Sequence, residues 1–233
     1  IALGDGGNRD NGGTGHVEDG NEDNAGGNGQ DITENLLGSI LRIDVDQTPY
    51  GIPANNPFVG TEGLDETYAY GFRNPYRMSL DMAGNRALYV GDAGQELYEE
   101  VSIVTAGNNY GWNVREGAHC FDADNPETVP ADCPQTDVWG NELIDPVLEF
   151  NNAKNGGPGL VVVGGYVYRG SAIENFDGYY VFGAWSASFD SPGGVIFYAD
   201  AQQAGDMWDF EQLTLTGGNS VEYLLAFGQD QDG

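Results

Sequence analysis

Basic side chains are nearly missing from this chain. Lys154 is the only lysine, and the 8 lysines and arginines face 37 acids, a formal net charge of -29. Nucleic acid and anionic membranes both select basic surfaces, so neither is expected as a partner. No run of 18 apolar residues occurs, so no segment reads as a membrane span. Cysteine is limited to Cys120 and Cys133, too few and too far apart for a structural zinc site. Histidine is limited to His16, in an acidic stretch, and His119, beside Cys120; neither position suggests a catalytic base. The chain has no Gly-x-Ser-x-Gly elbow and no phosphate-binding glycine loop, which excludes two common catalytic frameworks. Strong helical periodicity is also scarce.

The acid excess has three readings: a saline habitat, Ca²⁺ binding, or plain solubility. Salt screens charges beyond about 8 Å at physiological strength, so a dense acidic surface is tolerated where ions are plentiful. The two cysteines read either as free thiols or as a Cys120–Cys133 disulfide, which would contribute about 3 kcal/mol by closing so short a loop. The acidic, lysine-poor composition favours the oxidised form, hence a secreted protein, extracellular or periplasmic, in a saline or Ca²⁺-rich setting.

What the chain does have is glycine, 37 residues of it, between short aromatic and β-branched segments. Strands are expected at 38–45, 87–90, 100–104, 160–163, 166–169, 179–182 and 195–198. An internal repeat narrows the architecture. Ile1-Ala2-Leu3-Gly4-Asp5 resembles Leu88-Tyr89-Val90-Gly91-Asp92, with looser copies at Val181-Phe182-Gly183 and Ala226-Phe227-Gly228. The glycines lie 87, 92 and 45 residues apart, which fits a unit of about 45 residues, the length of a four-stranded propeller blade. The recurrent Gly-Asp is read as a turn. One domain over 1–233 is expected, an interior portion of about four to five blades cut from something longer at both ends. Residues 8–31 are read as an acidic loop insertion, either solvated or ordered by Ca²⁺, and 113–146 as a loop region bearing the disulfide.

Two segments are candidates for chemistry. In Tyr70-Gly71-Phe72-Arg73-Asn74-Pro75-Tyr76-Arg77, two scarce arginines lie four apart beside an asparagine. Such donors suit a carboxylate or phosphate ligand, or local acids. In Gly91-Asp92-Ala93-Gly94-Gln95-Glu96, exposed carbonyls would suit a hard cation, or form an ordinary turn.

These residues, with Gly38-Ser39-Ile40-Leu41-Arg42-Ile43-Asp44, Asn109-Tyr110-Gly111-Trp112 and Gly164-Gly165-Tyr166-Val167-Tyr168-Arg169-Gly170, come in an order that resembles the glucose/sorbosone dehydrogenase family. That family includes soluble pyrroloquinoline-quinone (PQQ) sugar dehydrogenases and Hedgehog-interacting-protein-like proteins. The resemblance implies an all-β fold, a six-bladed β-propeller of which this chain is an incomplete portion. It implies PQQ and Ca²⁺ as cofactors, with a sugar oxidised at its anomeric carbon and an external electron acceptor. By position, Arg73 and Asn74 would contact PQQ. Asp5 would assist a catalytic histidine that precedes Ile1, and the carbonyls of Gly94 and Gln95 would hold Ca²⁺. Three positions depart from the sugar dehydrogenases: Val163 replaces a frequent threonine, no lysine lies near Gly193-Gly194-Val195, and no arginine pair lies near the C-terminus. The alternative function is a non-catalytic extracellular propeller that binds glycans or a cell-surface protein partner through Ca²⁺-ordered loops.

Overall fold

The computed structural model describes residues 1–7, 27–205, 207–217 and 220–230. The fold is all-β and antiparallel, as expected. Thirteen strands are described: β1 (Ala2–Leu3), β2 (Ser39–Leu41), β3 (Thr67–Tyr70), β4 (Pro75–Leu80), β5 (Leu88–Asp92), β6 (Tyr98–Val104), β7 (Arg115–Glu116), β8 (His119–Cys120), β9 (Leu148–Asn151), β10 (Val162–Val167), β11 (Tyr179–Ala184), β12 (Val195–Asp200) and β13 (Glu211–Leu213). They form sheets ordered β1-β2-β3, β4-β5-β6-β9 and β10-β11-β12-β13, with a β7-β8 ribbon. Each sheet takes its strands in chain order, the up-and-down meander of a propeller blade. Three blade-sized sheets are thus present among the described residues. No helix among the described residues is long and apolar enough to cross a membrane.

The chain divides into two compact units, one of Ile1–Pro75 with Val104–Asp145, the other of Tyr76–Ile103 with Pro146–Gly233. The first holds the β1-β2-β3 sheet. Ile40 faces Ala2 and Ala69 across it, and Ser39 faces Leu3 and Tyr70. Phe72 and Tyr110 stack beneath, ring centroids 4.9 Å apart. The Cys120–Cys133 disulfide is formed and ties the β7-β8 ribbon to the loop after it.

The second unit packs its two four-stranded sheets around one core: Tyr89, Val101, Leu148, Phe150, Val162, Tyr180, Phe182, Phe197 and Trp208 are all buried. Alternation along the strands delivers these side chains to one face. Burying each large one contributes about 2 kcal/mol. Tyr89 stacks on Tyr180 with centroids 4.7 Å apart.

Two expectations are corrected here. Segments 160–163 and 166–169 are expected as separate strands but share β10, whose register shifts between Val163 and Tyr166. The bulge takes Gly165 out of the ladder, and side chains replace the lost partners. The Gly165 N–H donates to the Tyr180 hydroxyl at 2.9 Å, and the Ser79 hydroxyl donates to the Gly165 carbonyl at 2.6 Å. The recurrent Gly-Asp is not a turn either. Gly91 and Asp92 end β5, and Gly183 lies inside β11. A Cβ on Gly91 would meet the Gly164 N at 2.8 Å, and one on Gly183 the Val195 carbonyl oxygen at 2.3 Å. The glycine marks a place where neighbouring backbone comes too close for a side chain. Gly228 has nothing within 4 Å of its would-be Cβ and does not belong to that set.

Candidate functional site

The first unit gathers Asp5, Arg73, Asn74 and Trp112. Asp5 follows β1 and is held on both sides of its backbone: its N–H donates to the Arg73 carbonyl at 2.9 Å, and the Asn28 amide donates to its carbonyl at 3.0 Å. Asp5 is buried, 7% exposed. Oδ2 accepts from the Trp112 indole N–H at 2.6 Å, and Oδ1 from the Gly7 N–H at 3.0 Å. The Arg73 guanidinium lies over the Trp112 ring, 5.6 Å from its centroid, a cation–π geometry. Arg73 is half-buried and Asn74 exposed. The Asn74 side-chain oxygen comes within 3.8 Å of where a Gly4 Cβ would stand, which puts it against the same strand end.

Trp112 is fixed from behind. The Gln30 amide donates to the Trp112 carbonyl at 2.7 Å and to Asn109 Oδ1 at 2.9 Å, while Asn109 Nδ2 donates back to Gln30 Oε1 at 2.6 Å. The paired amides continue to Asp137, which accepts from Asn109 at 3.3 Å and from the Tyr70 hydroxyl at 2.6 Å. Burial works against charge on Asp137, but bonds from Tyr70 and Asn141 outweigh it and hold the carboxyl below its ordinary range. Burial and the Asp137 bond push Tyr70 up.

This framework corrects the reading of 8–31 as acidic loop throughout. Residues 8–26 and His16 with them lie outside the described residues. Asn28–Gln30 form a 3-10 turn, and Asn28, Gln30 and Asp31 are buried. Their polarity misleads because each finds an internal partner. Asp31 accepts from the Thr33 and Glu34 N–H groups, the Thr33 hydroxyl and the Asn35 amide.

Gly94 and Gln95 lie in the second unit, in the β5–β6 connection. Gln95 and Glu96 are buried, at 4% and 3% exposure. The Lys154 ammonium donates to Glu96 Oε2 at 2.8 Å and to the Gln95 carbonyl at 3.4 Å. Lys154 sits in a 3-10 turn, Ala153–Asn155, whose N-cap Asn152 accepts the Lys154 N–H at 3.0 Å. Asn152 is itself bound to the fully buried Glu99, donating to its Oε1 at 2.7 Å, while the Val162 N–H donates to Glu99 Oε2 at 2.7 Å.

The resemblance implies a triacid quinone and a Ca²⁺ ion. The donor chemistry of Arg73 and Asn74 fits the quinone: a guanidinium and an amide, both reachable from solvent, suit an anionic planar ligand. Gly94 and Gln95 do not fit the metal as they stand, because an ammonium already occupies the cation position at the Gln95 carbonyl. No cluster of three or more acids, histidines or cysteines placed to hold a metal occurs among the described residues.

Reasoning from sequence passes over Trp112, Gln30, Lys154, Glu96 and Glu99 as site residues. Trp112 carries a signal, since it closes the Asn109-Tyr110-Gly111-Trp112 motif. Lys154 carries another, as the sole lysine. His119 is half-buried in β8, and Arg77 lies over its neighbour Tyr76 at 4.7 Å, in the other unit from Arg73.

The family model for glucose / sorbosone dehydrogenase matches residues 12–191. HIPL2 protein of Arabidopsis thaliana is 34% identical over 217 residues, covering 85% of this chain and 28% of its own length. Human Hedgehog-interacting protein is 27% identical, covering 87% of this chain and 25% of its own length. The chain thus spans under a third of the length of these curated relatives. Among solved structures, the soluble aldose sugar dehydrogenase from Escherichia coli, in its apo form, overlays with a TM-score of 0.56 at 21% identity, over 91% of this chain and 49% of that one.

Proposed function

The chain belongs to the glucose/sorbosone dehydrogenase family, and on that footing we propose that it serves a secreted PQQ-dependent sugar dehydrogenase, one that oxidises an aldose at its anomeric carbon and passes electrons to an external acceptor. The observation that carries this reading is the group of Asp5, Trp112, Arg73 and Asn74: a carboxylate fixed in place with a cationic and an amide donor beside it. Bound PQQ would supply the hydride acceptor. This chain's own residues hold the quinone and orient the base. Arg73 and Asn74 bind and orient the quinone's acid groups through charge-assisted bonds. Asp5, with its orientation set by Trp112 and Gly7, positions a catalytic base and favours that base's protonated form.

The test is a PQQ titration of the purified protein, followed by absorbance and calorimetry, with Arg73→Ala beside the wild type. Saturable binding that weakens about tenfold or more in Arg73→Ala, with aldose-dependent reduction of an artificial acceptor, is expected. Equal PQQ response in both proteins, or none in either, overturns the reading.

One observation favours a second reading. The Lys154 ammonium engages the Gln95 carbonyl, which the quinone reading needs for Ca²⁺; the second reading is a non-catalytic extracellular propeller that binds glycans or a protein partner through Ca²⁺-ordered loops elsewhere. In that case ligand binding is retained while no acceptor is reduced at any PQQ concentration.

A further inference from the structure

The β5–β6 connection and the turn after β9 form a built cation site whose cation is a side chain. Glu96 is buried, and a buried carboxylate is costly without an opposite charge at hand. Lys154 provides that charge from 58 residues along the chain. Its position is not that of a wandering surface side chain. Register in the second sheet pairs Tyr98 with Asn151, so the chain leaving β9 passes directly beside the residues that enter β6. The Asn152 N–H donates to the Leu97 carbonyl at 2.7 Å, and the Asn152 amide anchors to Glu99 and to the Leu160 carbonyl. Gly156, at φ 77°, closes the turn two residues after the lysine. The lysine is therefore delivered by buried backbone and side-chain bonds, although its own side chain is 40% exposed.

We propose that Lys154 is the resident cation of this site: its ammonium, between the Gln95 carbonyl and the Glu96 carboxylate, takes the place of a divalent metal, and Ca²⁺ binds there only once the lysine is removed. A carbonyl and a carboxylate on one cation are the oxygen ligands that Ca²⁺ also selects, so the exchange is between two ions of the same ligand preference. The proposal concerns residues of the second unit, and its test needs no quinone.

The experiment measures Ca²⁺ binding by calorimetry and by thermal shift on four forms of the full chain: wild type, Glu96→Gln, Lys154→Met, and Lys154→Met with Glu96→Gln. Any Ca²⁺ taken up by the acidic stretch 8–26 is common to all four and cancels. Wild type and Glu96→Gln are expected to bind the same number of Ca²⁺ ions. Lys154→Met is expected to gain one ion and a Ca²⁺-dependent rise in Tm, both lost in the double variant. Loss of a Ca²⁺ ion on going from wild type to Glu96→Gln overturns the proposal, and this comparison decides it even if Lys154→Met does not fold. A folded Lys154→Met that gains no ion overturns it as well.

Discussion

The Trp112 indole N–H donates to Asp5 Oδ2 at 2.6 Å across 107 residues of chain. That bond ties the residues just after β1 to the loop holding Trp112, joining the two sequence segments that make up the first unit. Replacing Trp112 by Phe removes the donor and leaves a buried carboxylate with one bond fewer. The expected loss is about 2 kcal/mol in denaturant unfolding, the usual worth of a bond to a charged group. In a double-mutant cycle with Asp5→Asn, a coupling of about 1 kcal/mol or more is expected, and additivity would show the two residues to be independent.

The pair of Arg169 and Asp81 gives an acid-side prediction. Arg169 Nη2 donates to Asp81 Oδ2 at 2.6 Å and Nε to Oδ1 at 3.0 Å. The Arg169 bonds hold the Asp81 carboxyl below its ordinary range, against the opposing effect of burial. A carboxyl depressed in the folded state stabilises above its unfolded pKa of about 3.9, and that stability disappears as pH falls through the folded value. Arg169→Met is expected to cost about 3 kcal/mol at pH 7 and to flatten the loss of stability below pH 4, measured as denaturant midpoint against pH.

Tyr89 contributes to the alkaline limb. Burial, with a smaller push from Asp81, raises its pKa to about 12. The unfolded chain loses this proton near pH 10 while the folded protein retains it, so stability falls as pH rises from about 10 towards 12. Tyr89→Phe is expected to shallow that fall without altering the midpoint at pH 7 by much, since the ring still stacks on Tyr180.

Glycine substitutions separate the two kinds of repeat position. Gly183→Ala drives a Cβ against the Val195 carbonyl and Leu224 and is expected to cost about 2 kcal/mol or more. Gly228→Ala meets nothing and is expected to lie within about 0.5 kcal/mol of wild type. Equal effects would remove the packing explanation of the repeat.

Much of the fold is legible in the sequence for a physical reason. Strands β5, β6 and β11 are largely buried and β12 is half-buried, and they carry the aromatic and β-branched residues that such a pleat selects. Strand β4 is missed because Tyr76, Arg77, Met78 and Leu80 are exposed and carry no alternation. The 28–31 turn is missed because polar residues satisfied by distant partners look, locally, like solvent-facing loop. The Arg73-Asn74 pair, Asp5 and Trp112 are each legible as motif, but the contacts of Trp112 with Asp5 and Arg73 are not, since nothing in local spacing announces a contact over 107 residues. Lys154 and Glu96 are likewise brought together only by the β6–β9 register.

The bond from Asn28 to the Asp5 carbonyl has a consequence for how this chain tolerates change. It fastens together the points where the stretch 8–26 departs and returns. Closing a longer flexible loop adds only about 0.6 kcal/mol per doubling of its length, and the fastening is made by residues outside the stretch. Joining the two ends therefore depends on the framework around Asp5 and Asn28 far more than on how many residues lie between them.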